Sequence, residues 1–494
     1  MGIKAERRIL NANIRGPVSF SRSDDGRLVT NRGGGGVVSA LSSAMGTGET
    51  LWICAALNDA DREQARKEAD GRLGLDGSSG GSEVRMLDIP AETFRLAHNA
   101  VANSTLWFVH HMLYDIPNLP RFGLKFEREW EAYRAYNRAF AEALADEAAT
   151  LSDDGTSARS RVRAVVHDYH LSLVPRMLAD LRPDIRIAHF SHTPWAPPDY
   201  YRILPGPVGR QVLEGVLGAD HAGFHCQRWA DAFLECCRVI LGADVDMGRQ
   251  QVSHRGHVTS IGVHPLGVDA DELRRRASEP DVQAKVEALA REMHGRKLII
   301  RVDRTELSKN IIRGLEAYRE LLLTHPEWRG QVTHLVLAYP SRQDIHAYRM
   351  YMSAVTQMAR EISQEFGTED WQPLVLEVNN DYPLALAMYR LADVLLVNPI
   401  RDGMNLVAKE AGIVSDSGCA LVLSQEAGAA AELEADALLV NPYDVSETAK
   451  ALHEALIMTD AERKRRTASL ARAAAALPPA RWFADQLAAL GPAD

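Results

Sequence analysis

The chain has 494 residues, 46% of them hydrophobic and 25% charged, and its formal net charge is −10. This length exceeds one compact core, so two domains are expected, and the acidic balance without a long Lys/Arg run argues against nucleic acid as a partner. No apolar segment is as long as a membrane span, the N-terminus lacks a signal-peptide core, and the five cysteines include no Cys-x-x-Cys pair. We therefore expect a cytoplasmic protein without disulfides or a zinc site.

Short apolar runs alternate with helical patterns in the first half of the chain. The predicted strands there are Arg8–Ile14, Leu51–Ala56, Val84–Ile89, Ala164–His167, Ile185–Phe190, Ala222–Phe224 and Val258–Val263. A helix is predicted over Glu127–Ala145, where aromatic and aliphatic residues recur at three- and four-residue spacing. Gly33–Gly36 precedes another helical pattern at Val37–Met45, and the Gly/Ser-rich segment Gly71–Gly81 is predicted to be a surface loop.

The second half begins with a charged, helical stretch, Gly267–Arg296, which contains the predicted connection between the halves. The predicted strands that follow are Leu298–Val302, His334–Tyr339, Leu374–Val378, Val394–Val397, Ala420–Leu423 and Leu438–Val440. A helix is predicted over Ile311–Leu322. Strands that alternate with helices indicate parallel sheets covered on both faces, so we predict an α/β protein of two doubly wound domains with a cleft between them. Ligands of such folds bind at the carboxyl ends of the strands.

The stretch Asn398–Glu410 joins a predicted buried strand to a helical pattern that begins at Leu406. The first N–H groups of a helix have no internal partner, and the helix dipole adds positive charge there, so this turn is suited to a phosphate. Glu410 lies one turn further along the same face and could hold a ribose diol. An ordinary strand-to-helix turn with an exposed Asp402 explains this stretch alone equally well.

A second polar cluster, Arg301–Asn310, follows the strand Leu298–Val302. Arg304 and Lys309 are five residues apart on a predicted loop, so both cations could reach one diphosphate, Arg as a bidentate fork and Lys as a point charge. A departing nucleoside diphosphate needs such cations, because its negative charge grows as the glycosidic bond breaks. Taken alone, the cluster is more typical of a solvated charged loop.

Histidines and aspartate follow two strands of the first half. His167, Asp168 and His170 could hydrogen-bond sugar hydroxyls, and His192 could face the same cleft. A metal site at His167 and His170 is weakly supported, since no third ligand is nearby, and a structural histidine remains an alternative for His192. The poly-glycine segment Gly33–Gly36 permits either a phosphate cradle or a flexible lid.

These clusters together resemble the trehalose-6-phosphate synthase family, family 20 of the glycosyltransferases. The motifs that carry the resemblance are His167–His170, Arg401–Glu410, Leu423–Gln425 with Ala427–Ala430, and Val440–Asp444. Their order holds from about residue 7 to the C-terminus. The resemblance implies a GT-B fold of two Rossmann-like domains with the active site in the cleft between them. Residues 1–266 would bind the acceptor, 267–478 the nucleotide sugar, and 479–494 would form a helix that crosses back to the first domain.

The resemblance also implies roles for individual residues. The catalytic residues would be Arg304 and Lys309, on the donor diphosphate, and His167, on the transferred glucose. The donor-binding residues would be Gly36, His192, Asp402, Gly403, Met404, Asn405, Leu406, Val407 and Glu410. The acceptor-binding residues would be Arg15, His98, Trp107, Glu131 and Arg342. No metal and no cofactor are implied.

Three departures from the family pattern leave the substrates open. The family's Arg-x-Asp-Tyr-Ser-Lys-Gly stands here as Arg304-Thr-Glu-Leu-Ser-Lys-Asn310, His98 replaces an expected Tyr, and Asn13–Arg15 contains one extra residue. They fall on the acceptor side and on the loop near the nucleotide, so they affect acceptor identity and base preference.

The implied activity is transfer of glucose from UDP- or GDP-glucose to glucose 6-phosphate with retention, giving trehalose 6-phosphate. One alternative is a related enzyme, similar to the validoxylamine phosphate synthases, that uses a cyclitol donor or a different phosphorylated acceptor. Another is a catalytically idle sugar-phosphate sensor. We expect no membrane partner, and a homo-oligomer is compatible with the sequence.

Overall fold

The computed structural model describes residues 8–23, 25–32, 41, 50–67, 71–73, 83–150 and 162–491. The chain divides into two compact units. The first unit comprises Met1–Pro265 together with Pro479–Asp494, and the second comprises Leu266–Pro478. The predicted segment Gly33–Gly36, nearly all of Val37–Met45 and most of Gly71–Gly81 lie outside the described residues.

The strands of the two units follow one another along the chain. In the first unit they are β1 (Arg8–Ala12), β2 (Val18–Arg22), β3 (Leu28–Arg32), β4 (Thr50–Ala55), β5 (Arg72–Leu73), β6 (Glu83–Leu87), β7 (Val162–His167), β8 (Arg186–Ser191), β9 (His221–Phe224), β10 (Asp244–Asp246), β11 (Gln251–His254) and β12 (His257–Val263). In the second unit they are β13 (Lys297–Arg304), β14 (Val332–Tyr339), β15 (Leu374–Glu377), β16 (Val394–Val397), β17 (Ala420–Ser424) and β18 (Leu438–Val440).

The α-helices lie between these strands. They are α1 (Asp59–Lys67), α2 (Ala91–Arg95), α3 (Trp107–His110), α4 (Leu124–Thr150), α5 (Val174–Leu181), α6 (Pro198–Tyr201), α7 (Gly206–Val216), α8 (Gln227–Cys236), α9 (Ala270–Ala277), α10 (Pro280–Met293), α11 (Ile311–Thr324), α12 (His346–Phe366), α13 (Tyr382–Leu391), α14 (Val407–Val414), α15 (Ala430–Leu433), α16 (Val445–Ile457), α17 (Asp460–Ala475) and α18 (Pro479–Ala489). Leu96–Leu106 and Cys237–Leu241 are π-helical, and three short 3₁₀ helices cover Tyr169–Leu171, Leu307–Lys309 and Pro326–Trp328. None of the described helices combines the length and apolar character needed to cross a membrane.

The sheet of the first unit has the order β10-β11-β12-β9-β8-β7-β1-β4-β6-β5. Its central strands from β12 to β6 pair in parallel as predicted, and the edge strands β5, β10 and β11, which were not predicted, pair antiparallel. The edge strands are two to four residues long and carry polar, exposed positions, so their sequences have no apolar run. The hairpin β2–β3 was missed for the same reason.

The sheet of the second unit is parallel throughout, with the order β15-β14-β13-β16-β17-β18. Successive side chains of β13 point to opposite faces, so Leu298, Ile300 and Val302 join one core while Ile299 joins the other. Helices α10, α13 and α14 cover the first face, and α11, α12 and α16 cover the second. The chain leaves β13 toward β14 on one side and returns to place β16 on the other, so β13 and β16 flank the point where the strand order reverses.

Helix α18 belongs to the first unit although it is the last helix of the chain. Its residue Trp482 is 1% exposed and donates from Nε1 to the carbonyl of His264 at 3.1 Å. The indole also packs edge-on against Phe190, with 4.9 Å between ring centroids. Trp482 therefore anchors α18 to the core of the first unit, together with buried Phe483 and with Arg163, which donates to the Leu487 carbonyl at 2.7 Å.

Trp482→Ala should destabilise the first unit by about 3–5 kcal/mol, because it removes a buried aromatic side chain and leaves a cavity. Arg481→Ala is the matched control, since Arg481 is exposed on the same helix and pairs only with Asp485 among the contacts of the described chain. That change should cost no more than about 0.5 kcal/mol. Urea unfolding followed by circular dichroism measures both variants, and equal midpoints would contradict the packing role of Trp482.

Candidate active site

Most of the predicted site residues of the second unit lie at the carboxyl ends of β13 and β16. Arg304 is the last residue of β13, and Lys309 ends the short 3₁₀ helix that follows it. The sequence predicts that both cations lie on one loop. In the structure β13 instead continues to Arg304, because β14 pairs with it up to Tyr339. The Asn398–Glu410 stretch leaves the neighbouring strand β16.

Lys309 is held between two carboxylates. Its Nζ lies 2.6 Å from Asp402 Oδ2 and 3.8 Å from Asp303 Oδ1. Burial opposes the charge of Lys309, but Asp402 and Asp303 outweigh it and raise the pKa of the amine. Burial in turn raises the pKa of Asp303, against the effect of Arg301 and Lys309. Asp402 is therefore an ion-pair partner of Lys309 and not the exposed residue of the simpler interpretation.

Arg301 contacts this ion pair through Asp303 and through the backbone of Lys309. Its side chain has no exposed surface, and its Nε lies 2.9 Å from Asp303 Oδ2. Its two other guanidinium nitrogens donate to the Asn398 side-chain oxygen and to the Lys309 carbonyl. A buried guanidinium is costly unless its charge is compensated, so the ion pair with Asp303 and the hydrogen bonds of Nη1 and Nη2 tie the ends of β13 and β16 together.

Arg304 and Arg342 share a buried carboxylate. Glu306 Oε1 lies 2.8 Å from Arg304 Nη1 and 3.9 Å from Arg342 Nε, and it accepts a 2.9 Å hydrogen bond from the Ser341 hydroxyl. The cations of this cluster outnumber its carboxylates by one. The cations are Arg301, Arg304, Lys309 and Arg342, and the carboxylates are Asp303, Glu306 and Asp402. The edge of the sheet is therefore arranged to receive an anion.

The turn from Asp402 to Asn405 is pinned by a neighbouring loop. Gly428 donates from its backbone N to the Asp402 carbonyl at 3.1 Å, and Ala429 donates to the Met404 carbonyl at 2.8 Å. A Cβ at Gly428 would lie 1.9 Å from the Gly403 carbonyl oxygen, so only glycine permits this approach. Four of the predicted donor-sugar residues are thus held as one rigid turn.

Asn405 joins this turn to helix α14. It adopts the left-handed conformation, with φ of 78°, and its side-chain oxygen accepts a hydrogen bond from the N–H of Ala408 at 3.2 Å. Its amide nitrogen donates to Asp402 Oδ2 at 3.1 Å. Leu406 and Val407 stand at the start of α14, where backbone N–H groups have no partner within the helix.

Glu410 is partly buried one turn into α14. Burial raises the pKa of its carboxyl group to about 7, although a hydrogen bond with Tyr389 acts in the opposite direction. The group therefore changes charge near neutral pH.

The first unit places two predicted site histidines in contact. His167, at the end of β7, shares a 2.9 Å hydrogen bond between Nε2 and Asn11 Oδ1, and its Nδ1 lies 3.2 Å from His192 Nε2. Burial and neighbouring histidines hold the pKa of both imidazoles well below the ordinary value, so both are neutral. Both ring nitrogens of His167 are engaged, and a sugar hydroxyl that binds one of them must displace a present partner.

His98 and Trp107 surround the turn that follows β7. The His98 ring stacks between Phe94 and His170, with centroid distances of 5.0 and 5.5 Å. The Trp107 ring lies 5.6 Å from that of Tyr169. The two residues are therefore brought to the same segment, although neither ring contacts the other in the described geometry.

The remaining predicted site residues of the first unit are Arg15, Glu131 and Gly36. The Arg15 carbonyl accepts a hydrogen bond from Trp52 Nε1 at 3.0 Å, and the residue as a whole is exposed. Glu131 is exposed on α4 and pairs with Arg134 at 2.8 Å. Gly36 lies outside the described residues.

One group of described residues offers three ligand atoms to a metal: His325, Glu327 and His453. Their ligand atoms lie within 4.8 Å of one another. His325 and Glu327 follow the C-terminal end of α11, whereas Lys309 precedes its N-terminal end. The 14 residues of this helix span about 21 Å, so the trio lies at the far end of α11 from Lys309. Trp328 Nε1 donates to His453 Nδ1 at 3.1 Å, which occupies a lone pair that a metal would need. His167 and His170 belong to no such group in the described part of the chain.

Several supporting residues were not predicted from the sequence. They are Asn11, Arg301, Asp303, Glu306, Ser341 and Tyr389. Arg301, Asp303 and Glu306 lie in the polar cluster that follows Leu298, and Asn11 is a polar residue within an apolar strand, but neither signal identifies the partner of such a residue. Their pairing depends on tertiary contacts between distant segments.

Comparison with known proteins supplies the family. The sequence model of glycosyltransferase family 20 matches residues 7–491. A UDP-forming α,α-trehalose-phosphate synthase of Aspergillus niger is 33% identical over 465 residues, which cover 92% of this chain and 91% of that protein. The bifunctional trehalose-6-phosphate synthase/phosphatase of Thermoproteus tenax is 32% identical over 97% of this chain, which spans only 62% of that longer protein.

Solved structures agree with this assignment. An E. coli structure described as trehalose-6-phosphate bound with UDP-2-fluoro glucose has a TM-score of 0.82, with 27% identity and 98% of each chain covered. A UDP-forming α,α-trehalose-phosphate synthase from Burkholderia xenovorans, in complex with glucose-6-phosphate, has a TM-score of 0.82, with 25% identity over 98% of this chain and 99% of that one. The predicted GT-B fold class and the predicted resemblance are confirmed. The chain belongs to glycosyltransferase family 20.

Proposed function

We propose that this chain is a retaining hexosyltransferase that moves glucose from a nucleoside diphosphate glucose, UDP- or GDP-glucose, to glucose 6-phosphate and forms trehalose 6-phosphate. The observation that carries the proposal is the cluster at the ends of β13 and β16, where cations exceed anions by one charge beside a rigid glycine turn. Relatives that are described as UDP-forming trehalose-phosphate synthases support the same reaction.

In the proposed reaction Arg304 and Lys309 bind the donor diphosphate and stabilise its growing charge. Glu410 holds the ribose, and the N–H groups of Leu406 and Val407 face the phosphates at the start of α14. The turn Asp402–Asn405 holds the donor sugar. Asp402 is paired with Lys309, so the same ion pair that orients the cation also orients a carboxylate toward sugar hydroxyls.

The acceptor hydroxyl attacks the anomeric carbon on the face from which the diphosphate departs. The new C–O bond forms as the C–O bond to the diphosphate breaks, and a phosphate oxygen takes the hydroxyl proton. The protein supplies orientation and charge stabilisation in this scheme and no acid–base pair. Arg15, His98, Trp107, Glu131 and Arg342 form the proposed acceptor set. His167 and His192, as neutral imidazoles, are proposed as hydrogen-bond partners of sugar hydroxyls.

A donor screen tests the function directly. The purified chain is incubated with UDP-, GDP- or ADP-glucose and glucose 6-phosphate, and the product is identified by mass spectrometry and by the α,α-linkage in the NMR spectrum. We expect trehalose 6-phosphate from the UDP or the GDP donor. Failure with every glucose donor, together with product from a cyclitol donor, would instead support the related pseudoglycosyltransferase activity.

Arg304→Ala should lower kcat by about 10²–10³-fold, because it removes a donor aimed at the charge of the leaving diphosphate. Arg319→Ala is the matched control: Arg319 lies in the same unit, is half exposed and pairs with Glu365. The control should stay within about threefold of the unmodified chain. An Arg304→Ala variant with near-normal turnover would remove Arg304 from the mechanism.

Donor binding should weaken as the pH falls through about 7, the pKa of Glu410. Only the ionised carboxylate accepts two hydroxyl hydrogen bonds, so affinity is full above this pH and declines below it, by about tenfold between pH 8 and pH 6. Calorimetric titration with the nucleotide sugar alone measures it, since an esterified diphosphate keeps its charge over this range. Glu410→Gln should bind weakly with little dependence on pH, and an unchanged pH profile in that variant would contradict the assignment.

A further inference from the structure

Glu306 is a charged residue of the second unit whose side chain has no exposed surface. It lies two residues after Arg304, and its backbone N–H donates to the Arg304 carbonyl at 2.8 Å. The carboxylate therefore folds back beside the guanidinium of the same turn. No role in the reaction proposed above requires an acid at this position.

The contacts of Glu306 are concentrated on one of its oxygen atoms. Oε1 receives Arg304 Nη1 at 2.8 Å, the Ser341 hydroxyl at 2.9 Å and the approach of Arg342 Nε at 3.9 Å. Oε2 is buried and accepts no hydrogen bond from the described residues. The carboxylate can thus bond Arg342 more closely without releasing Arg304.

Electrostatics keep Glu306 ionised in this position. Burial acts to raise the pKa of its carboxyl group, but Arg304 and Arg342 outweigh burial and hold the pKa at about 2. A buried anion that costs desolvation is retained here beside two cations, in a region that is proposed to bind other anions.

Arg342 is constrained from its other end as well. Its backbone adopts the left-handed conformation, with φ of 49°, and its Nη1 donates to the Tyr348 hydroxyl at 2.6 Å. A non-glycine residue keeps such a conformation only where the surroundings enforce it. Tyr348 therefore bonds one nitrogen of this guanidinium, and Glu306 forms an ion pair with another at 3.9 Å.

We infer that Glu306 is a positioning residue that orients Arg304 and Arg342 together, so that one carboxylate sets the cation for the donor diphosphate and the cation for the acceptor phosphate. The inference rests on the proposed function, which gives these two arginines their ligands. Because both guanidinium groups depend on one side chain, a single substitution at Glu306 acts on both substrates.

The effect of neutralising Glu306 on anion affinity has opposite signs under simple charge repulsion and under positioning. A carboxylate between two anion sites repels both ligands, so its neutralisation should tighten anion binding if orientation is unimportant. If orientation dominates, loss of the charge-assisted bond to Arg304 and of the 3.9 Å ion pair with Arg342 should weaken both ligands. Glu306→Gln keeps the shape of the side chain and separates these two outcomes.

The experiment compares the unmodified chain with Glu306→Gln by steady-state kinetics and by calorimetric titration with UDP and GDP. We expect the KM for the nucleotide sugar and the KM for glucose 6-phosphate each to rise about tenfold, and nucleoside diphosphate affinity to fall about tenfold, the effect of one lost charge-assisted hydrogen bond. The unfolding midpoint of Glu306→Gln should fall below that of the control, because a buried carboxylate paired with arginine is lost, so both variants are assayed at a temperature at which they are fully folded.

The matched control is Glu365→Gln, which makes the same substitution in an exposed Arg–Glu pair of the same unit. It should change each constant by less than about twofold. Unchanged or tighter nucleoside diphosphate binding by Glu306→Gln would overturn the inference, and so would a rise in only one of the two KM values. A fall in kcat alone, with both KM values and the nucleoside diphosphate affinity of the folded variant unchanged, would also overturn it, as it would show a purely structural role.

Failure of the proposed function looks different. If the unmodified chain makes no trehalose 6-phosphate but binds UDP or GDP, the acceptor assignment fails. The titration of Glu306→Gln then decides the inference: a tenfold loss of nucleoside diphosphate affinity supports positioning of Arg304, and tighter or equal affinity refutes it.

Discussion

The guanidinium of Arg301 has no contact with solvent, and the arrangement of the second unit's site depends on how its charge is accommodated. Asp303 neutralises it, while Asn398 and the Lys309 carbonyl take its other donors. Because a buried cation without these partners would be costly, the ends of β13 and β16 are held at one spacing. Gly314 follows from the same constraint, since a Cβ there would lie 2.5 Å from Arg301 Nη1.

The two units prepare their polar groups in different electrostatic states. In the second unit, buried Lys309 and Glu306 stay charged because oppositely charged partners outweigh the cost of burial. In the first unit, His167 and His192 share a contact in which no carboxylate of the described residues bonds either ring, and both stay neutral. Charged side chains form strong hydrogen bonds with phosphates, whereas neutral imidazoles are suited to hydroxyl groups. The charged groups of the second unit therefore suit the phosphate part of a sugar phosphate, and the neutral histidines of the first unit suit its hydroxyl groups.

The sequence predicted the apolar strands well because they are short apolar runs bounded by polar turns. Val394–Val397, which is fully buried, and the edge strand Leu438–Val440 both have the predicted bounds. Short antiparallel strands such as Gln251–His254 have exposed positions and no apolar run, so periodicity could not reveal them. Motif order identified the strand ends that carry Arg304, Lys309 and Asp402. The partners of these residues, above all Glu306 with Arg342, depend on contacts between segments that sequence spacing does not encode.

Helix Pro479–Ala489 makes the first unit discontinuous along the chain, because the unit joins Met1–Pro265 to Pro479–Asp494. Translation proceeds from the N-terminus, and domains generally fold as units as they emerge. The second unit is contiguous and is complete once residue 478 has left the ribosome, before the first unit has received its final helix. The surface that Trp482 later covers, around Phe190 and His264, is therefore uncovered throughout the synthesis of more than 200 intervening residues.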